Sequence, residues 1–140
     1  MNDESPSFVW PVRVYYEDTD SGGVVYHANY LNFMERARTE WLRSLGFEQD
    51  RLLQQDGIIF AVRHVEVSYD LPARFNDALE VHVRLAKIGR ASLTIYQEVI
   101  RASDAQLLCW GNVKVVCVNM NKMSPTPIPK KILMEIPDVD

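Results

Sequence analysis

The sequence predicts an α+β domain in which an antiparallel sheet of about five strands wraps around one long central helix. Three observations support this fold class. A wide apolar stripe at helical spacing runs between residues 29 and 45. Apolar and polar residues then alternate in strand-like segments between residues 58 and 119. Short turns separate the last three of these segments, as in an antiparallel meander.

The long helix is predicted over Asn29–Leu45, because its large apolar residues recur at steps of three and four. Gly46 is a suitable residue to follow the end of a helix. Phe47, the next residue, would contact Leu42 across a Schellman motif. The width of the apolar stripe indicates that most of one side of the helix is buried.

Five strands are predicted around this helix, at Val12–Glu17, Ile58–Tyr69, Leu79–Leu85, Leu93–Arg101 and Leu107–Asn119. A short helix is predicted over Glu48–Gln55, and the chain closes with a brief segment, Lys130–Glu135. The proline-rich segment 124–129 is predicted to be neither strand nor helix interior. One helix cannot cover the whole sheet and its edges stay open, so we expect a homodimer or homotetramer.

Composition restricts the class of protein. The chain has 140 residues, 47% of them hydrophobic, which suits one folded domain, predicted at residues 10–135 after a flexible arm at residues 1–9. A net charge of −4 argues against nucleic acid as a partner. No apolar run could cross a bilayer, and the acidic first residues do not resemble a signal peptide. A cytoplasmic location is therefore expected.

The two cysteines, Cys109 and Cys117, fall in one predicted strand. Eight strand residues span roughly 26 Å, far more than a disulfide allows. We therefore expect buried, unreactive thiols. No group of cysteines and histidines has the spacing of a zinc site, so the sequence predicts neither a metal nor a cofactor.

Residues 16–27 contain the densest group of reactive side chains, with three carboxylates, two adjacent glycines and His27. Unpaired backbone N–H groups at the following helix N-terminus could stabilise an oxyanion, while a nearby carboxylate attacks a carbonyl. Asp20 is one candidate, although loop aspartates often serve only as turn residues or helix caps. Asp18 would share its face if the strand continues, so it remains an alternative. Glu17 is expected to face solvent.

Residues 12–30 resemble the signature of hotdog-fold acyl-CoA thioesterases of the 4-hydroxybenzoyl-CoA thioesterase type, and most of all the branch associated with the Tol–Pal system. The resemblance continues at Glu35–Glu40 and Val67–Arg74, and spans roughly residues 10 to 130. It implies a hotdog fold, hydrolysis of acyl-CoA, and active sites at a subunit interface.

The resemblance also implies roles for individual residues. Asp20 corresponds to the catalytic carboxylate, acting either as the nucleophile or as the base that activates water. His27 lies where a backbone N–H polarises the thioester carbonyl, and Tyr16 corresponds to a further catalytic position. Related hotdog enzymes of another branch use a helix Glu as the catalytic acid, whereas Glu35 is expected here only to orient the loop by hydrogen bonds.

Coenzyme A carries phosphates, so cationic side chains are expected near its binding groove. The candidates are Arg63, Arg90 and Lys122, together with Ser92 in the predicted turn at residues 89–92. Scattered surface charge is the alternative for each of them. A binding or scaffold protein for acyl carrier protein or phospholipid-synthesis enzymes is the rival function, with thioesterase activity secondary.

Overall fold

The structure is a computed structural model that describes residues 8–136. Its strands are β1 (Phe8–Arg13), β2 (Ile58–Tyr69), β3 (Ala78–Ile88), β4 (Ser92–Arg101), β5 (Gln106–Asn119) and β6 (Ser124–Pro125). Its helices are α1 (His27–Ser44), α2 (Gln49–Asp56) and α3 (Lys130–Leu133). The strands form one antiparallel sheet in the order β1-β3-β4-β5-β2, with β6 beside β5. None of the helices within residues 8–136 has the length and apolarity that crossing a bilayer requires.

Helix α1 packs against β1, β3 and β4, as the predicted architecture requires. The apolar stripe read from the sequence forms its buried face, at Tyr30, Phe33, Met34, Ala37, Trp41 and Leu42. The predicted Schellman motif is present. The N–H of Phe47 donates to the carbonyl of Leu42 at 3.2 Å, and Gly46 has a φ of 102°.

The sheet face that covers α1 follows the alternation predicted from the sequence. Strands β3 and β4 bury every second residue, among them Leu79, Val81, Val83, Leu93, Ile95 and Val99. Gln97 is the one polar residue on this buried face of β4, and its side chain is fully buried. It donates to the main-chain carbonyl of Met34 and accepts from Arg38, both at 2.9 Å. This polar contact fixes α1 over the middle of β4.

The predicted position of the first strand is wrong. Strand β1 runs over Phe8–Arg13, not Val12–Glu17, and residues 16–18 form a 3-10 turn. The strand cannot continue because the Asp18 carboxylate accepts the N–H of Tyr15 at 2.8 Å and turns the chain. Part of the predicted flexible arm therefore pairs with β3, through Phe8 and Val9. Residues 1–7 lie outside the described part of the chain.

A second correction concerns the proline-rich segment. Ser124 and Pro125 form the short strand β6, paired with Asn119 and Val118 of β5. A proline is tolerated here because β6 is an edge strand, where one missing N–H donor breaks no ladder bond.

The two cysteines behave as predicted. Both thiols are free and buried, on the single strand β5. Burial raises the pKa of the Cys109 thiol to about 12, so it is uncharged and unreactive at neutral pH.

The two outer strands of the sheet, β1 and β2, have different edges. Strand β1 carries Pro11 in its middle, which removes one of the N–H donors that another strand would need. Strand β2 is twice as long and exposes Val62 and Val65, with 49% and 40% of their surface accessible. Long, apolar edges of this kind are suited to pairing with another strand.

Candidate active site

Between β1 and α1 the chain forms a tight hairpin, residues 18–26. Antiparallel backbone contacts close it, joining the N–H of Asp20 to the carbonyl of Val24 (2.9 Å), Thr19 to Val25, and the N–H of Tyr26 to the carbonyl of Asp18 (2.8 Å). Gly23 permits the turn because its φ is +80°, a conformation that side-chain-bearing residues rarely adopt. The hairpin therefore presents Asp20 near its tip and delivers the chain directly into α1.

Asp20 is exposed and its side chain is oriented. Oxygen Oδ1 accepts the N–H of Gly22 at 2.8 Å, in an Asx turn. Oxygen Oδ2 takes part in no hydrogen bond within residues 8–136. Asp20 is thus a turn residue, as the simpler interpretation of the sequence holds, but one whose second oxygen is available to a substrate or water.

The N-terminus of α1 begins one residue after the hairpin and has no side-chain cap. The N-cap is Tyr26, whereas Ser, Thr, Asp or Asn usually occupies this position and accepts the first N–H groups of a helix. In the described part of the chain, the N–H groups of His27 and Ala28 donate to no acceptor. These two donors lie at the positive end of the helix dipole, where an oxyanion is stabilised.

The exposed imidazole of His27 lies beside aromatic rings. Its ring centroid is 4.6 Å from Tyr26 and 6.1 Å from Tyr69, which meets it edge-on. Tyr69 also packs against Tyr30, at 5.6 Å. The rings of His27, Tyr30 and Tyr69, together with Leu71 and other residues of the following loop, line a depression of about 190 Å³. Sequence analysis missed Tyr69 as a site residue, although it ends a strand inside the matched segment 67–74.

The loop between β2 and β3, residues 70–77, is hydrogen-bonded to the hairpin. The N–H of Val25 donates to the carbonyl of Ala73 at 2.9 Å, and the N–H of Ala73 donates to the hydroxyl of Tyr30 at 2.9 Å. Burial raises the pKa of Tyr30, so this hydroxyl stays protonated at neutral pH. Arg101 supports the loop through the carbonyl of Pro72 (3.0 Å) and the carboxylate of Asp77 (3.3 Å).

Asp18 and Asp20, which the sequence could not separate, have different surroundings. Asp18 is only 6% exposed. Its Oδ2 accepts the N–H of Tyr15 at 2.8 Å, and its Oδ1 accepts the side-chain amide of Asn29 at 2.7 Å. Both oxygens of Asp18 are therefore occupied, which favours Asp20 as the reactive carboxylate. Glu17 faces solvent, as predicted.

The ring of Tyr16 lies away from these groups. It is 75% exposed and stacks on Phe75, with centroids 3.8 Å apart and planes within 4°. The ring contacts within residues 8–136 do not join it to His27. The role expected for Tyr16 therefore stays a prediction.

The four candidate phosphate contacts lie at the opposite end of the sheet from His27. Tyr69, beside His27, pairs with Cys109, whereas Ser92 pairs with Val116 on the same strand. These two positions on β5 are about 23 Å apart, from the rise per residue of a strand. Arg63 lies at the bulge in β2, Arg90 in the β3–β4 turn and Lys122 in the turn after β5, all of them exposed.

A cavity of about 150 Å³ lies between α1 and the sheet. Apolar side chains form its walls, including Leu42, Phe60, Leu93, Ile95 and Val115. Arg38 and Glu35 contribute the charged part of its lining. Burial lowers the pKa of Arg38, and the negative charge of Glu35 opposes that shift. Glu35 makes no hydrogen bond to the hairpin within residues 8–136, contrary to our expectation, since it lies about 12 Å along the helix from His27.

Comparison with known proteins identifies the family. Residues 14–136 match the Thioesterase-like superfamily. The chain belongs to this superfamily. It is 48% identical over 128 residues to the acyl-CoA thioester hydrolase YbgC of Escherichia coli. The alignment covers 91% of this chain and 94% of that relative. It is 44% identical over 125 residues to the acyl-CoA thioesterase YbgC of Haemophilus influenzae, with 89% and 90% covered.

Solved structures of the superfamily share the same fold. A probable thioesterase from Bartonella henselae superposes with a TM-score of 0.83 at 32% identity, over 89% of this chain and 100% of that one. A 1,4-dihydroxy-2-naphthoyl-CoA thioesterase from Synechocystis reaches 0.87 at 24% identity, over 93% and 95%, a likeness of fold alone. The predicted hotdog fold and the predicted class of enzyme, a thioester hydrolase, are both confirmed.

Proposed function

We propose that this thioesterase hydrolyses acyl-CoA with the carboxylate of Asp20, while the N–H groups of His27 and Ala28 stabilise the oxyanion. One observation carries the proposal. An exposed, oriented carboxylate lies on the hairpin that leads directly into an uncapped helix N-terminus. Stability alone gives no reason to leave that helix end uncapped, because a polar N-cap contributes about 1 kcal/mol.

The chemistry needs only these groups and water. Asp20 either removes a proton from water that attacks the thioester carbon, or attacks that carbon itself to form an anhydride that water then cleaves. In both routes the carbonyl oxygen gains negative charge, which the helix N–H groups stabilise. The C–S bond breaks and the CoA thiolate leaves. In the first route it takes up the proton that Asp20 removed from water, and in the second it takes up a proton of the water that cleaves the anhydride, so the Asp20 carboxylate is restored. The products are a free acid and CoA.

We propose a homodimer, or a homotetramer built from it, in which the β2 strands of two copies pair antiparallel. The exposed edge of β2, with Val62 and Val65, supports this assembly. Antiparallel pairing would bring residues 58–62 of one copy beside Tyr69 of the other. Arg63, Arg90, Ser92 and Lys122 of one copy could then serve the nucleotide phosphates at the Asp20 hairpin of its partner.

We propose that the cavity between α1 and the sheet holds the acyl group. Antiparallel pairing of the two β2 strands would bring this cavity of one copy to the Asp20 hairpin of its partner. The cavity has a volume of about 150 Å³ and is partly open to solvent; an apolar cavity of similar volume in another protein holds benzene. Short-chain or single-ring acyl groups are therefore the expected substrates.

The test is steady-state hydrolysis of a panel of acyl-CoAs, from acetyl to palmitoyl and including benzoyl, with a thiol reagent as readout. Asp20→Asn should lower kcat by about 10²–10⁴-fold, because it removes the base or nucleophile and keeps the shape. Glu17→Gln is the matched control, since Glu17 is an exposed carboxylate in the 3-10 turn that leads into the hairpin. Wild-type turnover by Asp20→Asn would contradict the mechanism, and a preference for palmitoyl-CoA would contradict the acyl-pocket assignment.

Acyl carrier protein remains the alternative partner. Lys87 and Lys114 both pair with Thr94, so they form a cationic row across neighbouring strands that would suit an acidic protein surface. Hydrolysis of the same acyl group from CoA and from acyl carrier protein should be compared. Tight binding of the carrier protein, with no hydrolysis of any CoA ester, would favour the scaffold function. We also propose a cytoplasmic location, in keeping with the two free thiols.

A further inference from the structure

We propose that Asp18 and Asn29 form a clamp that positions the N-terminus of α1 relative to Asp20. The inference rests on the proposed function and assigns Asp18 a positioning role, not a catalytic one. Asp18 touches neither of the uncapped N–H groups. It acts on them through the residues that flank them.

The clamp contacts both sides of the uncapped N–H groups. On one side, the carbonyl of Asp18 accepts the N–H of Tyr26, the residue that precedes them, at 2.8 Å. On the other side, its Oδ1 accepts the side-chain amide of Asn29, the residue that follows them, at 2.7 Å. Its Oδ2 accepts the N–H of Tyr15, at the exit from β1, at 2.8 Å. One residue thus connects the sheet to both flanks of the proposed oxyanion site.

The choice of acceptor supports a positioning role. An acidic side chain beside a helix N-terminus usually accepts the helix N–H groups themselves, and that is the stabilising arrangement. The carboxylate of Asp18 instead accepts a side-chain amide from Asn29. The N–H groups of His27 and Ala28 are held in place and still have no acceptor within residues 8–136. The clamp therefore leaves the N–H groups of His27 and Ala28 free to donate, whereas an ordinary N-cap side chain would accept them.

Burial makes the clamp rigid. Asp18 is one of two polar side chains that are buried within residues 8–136, the other being Gln97. A buried carboxylate must keep its hydrogen bonds, because losing one leaves an uncompensated charge. The donors and Asp20 are thus fixed at a set separation before substrate binds. A displacement of about 1 Å between reacting groups can reduce turnover about 10²-fold.

The test reverses the polarity of the clamp. Asp18→Asn should reduce kcat by about 10- to 100-fold and change KM by less than about threefold, because the donors shift while the CoA contacts remain. Asn29→Asp should do the same, since two carboxylates would face each other. In the double variant Asp18→Asn/Asn29→Asp, the new amide can donate to the new carboxylate and still accept the N–H of Tyr15. We expect kcat within about fivefold of the wild type.

Two controls separate positioning from folding and from charge. Gln54→Glu adds a carboxylate at an exposed position of α2, away from the clamp, and should leave kcat unchanged. Melting temperatures identify variants that merely unfold. If Asp18→Asn does not fold, Asn29→Ala takes its place. It removes the side-chain bond to Asp18, together with a longer one from Asn32, and keeps the buried carboxylate. It should reduce kcat in the same way.

The outcomes distinguish this inference from the proposed function. The clamp would be overturned if Asp18→Asn or Asn29→Ala had the kcat of the wild type. It would also be overturned if the double variant were no faster than the folded single variants. Either result would hold even if Asp20→Asn is inactive. Conversely, an active Asp20→Asn together with a rescued double variant would refute the carboxylate mechanism while leaving the clamp intact.

Discussion

At the scale of single residues, the hairpin leaves little space around the Asp20 carboxylate. A Cβ added at Gly22 would lie 3.2 Å from Oδ1 of Asp20. A Cβ added at the neighbouring Gly23 would meet nothing within 4 Å, but the φ of +80° there is unfavourable for any side chain. The two adjacent glycines therefore serve different purposes, one for the carboxylate and one for the turn.

Substitution of each glycine should separate these purposes. Gly22→Ala should lower kcat by about tenfold, because the new methyl group displaces the carboxylate by a few tenths of an ångström. Its melting temperature should change little. Gly23→Ala should instead cost about 1 kcal/mol of folding free energy, measured by urea denaturation, because alanine is strained at positive φ. Equal effects of the two variants on stability would contradict this division.

At the scale of elements, α1 is held over the sheet by apolar packing and by one buried polar contact. Gln97 donates to the carbonyl of Met34 and accepts from Arg38. Its amide satisfies a guanidinium whose pKa is lowered by burial. Apolar packing alone would tolerate small shifts of the helix along β4, whereas these hydrogen bonds are satisfied in only one register.

Gln97→Leu should destabilise the protein by about 2–3 kcal/mol, because it leaves the half-buried Arg38 without its acceptor. The double variant Arg38→Met/Gln97→Leu should recover part of that loss, since it removes the buried charge together with its partner. Urea denaturation of the three variants and the wild type gives the coupling between the two positions. If the double variant were less stable than Gln97→Leu, the packing of the Arg38 side chain would contribute more to stability than its hydrogen bond to Gln97.

At the scale of the whole molecule, the sheet has one edge suited to pairing and one that is not. Strand β2 is long and exposes Val62 and Val65, whereas β1 is short and carries Pro11. The proposed dimer would cover the open edge of β2. It would also bring Arg63, Arg90 and Lys122 of one copy to the hairpin of the other.

Val65→Lys should therefore convert the protein to a monomer in sedimentation velocity, because charge on an edge strand opposes pairing. Acyl-CoA hydrolysis should fall with it, chiefly through a higher KM for CoA esters. Val9→Lys, at a similarly exposed valine on β1, is the matched control and should leave mass and activity unchanged. Full activity in a monomeric Val65→Lys would rule out a site shared between subunits.

The sequence by itself determined the secondary structure that follows from local periodicity. Strand β2 begins and ends at the predicted residues, and β4, β5 and α1 lie within two residues of prediction at each end. Their patterns are set by which residues must be buried, and burial repeats at intervals that can be counted along the chain. The resemblance of residues 12–30 to a family signature likewise indicated a thioesterase before any fold was known.

Only the tertiary structure decided what depends on contacts between distant segments. Periodicity gave Asp18 and Asp20 the same face, but hydrogen bonds to Tyr15 and Asn29 bury the first and leave the second exposed. The sequence does not reveal where the candidate phosphate contacts lie relative to the hairpin. The register of the sheet places Ser92 about 23 Å along β5 from the position that pairs with Tyr69, the neighbour of His27. The physical reason is that hydrogen-bond partners and sheet register join residues far apart in the chain, which no local pattern records.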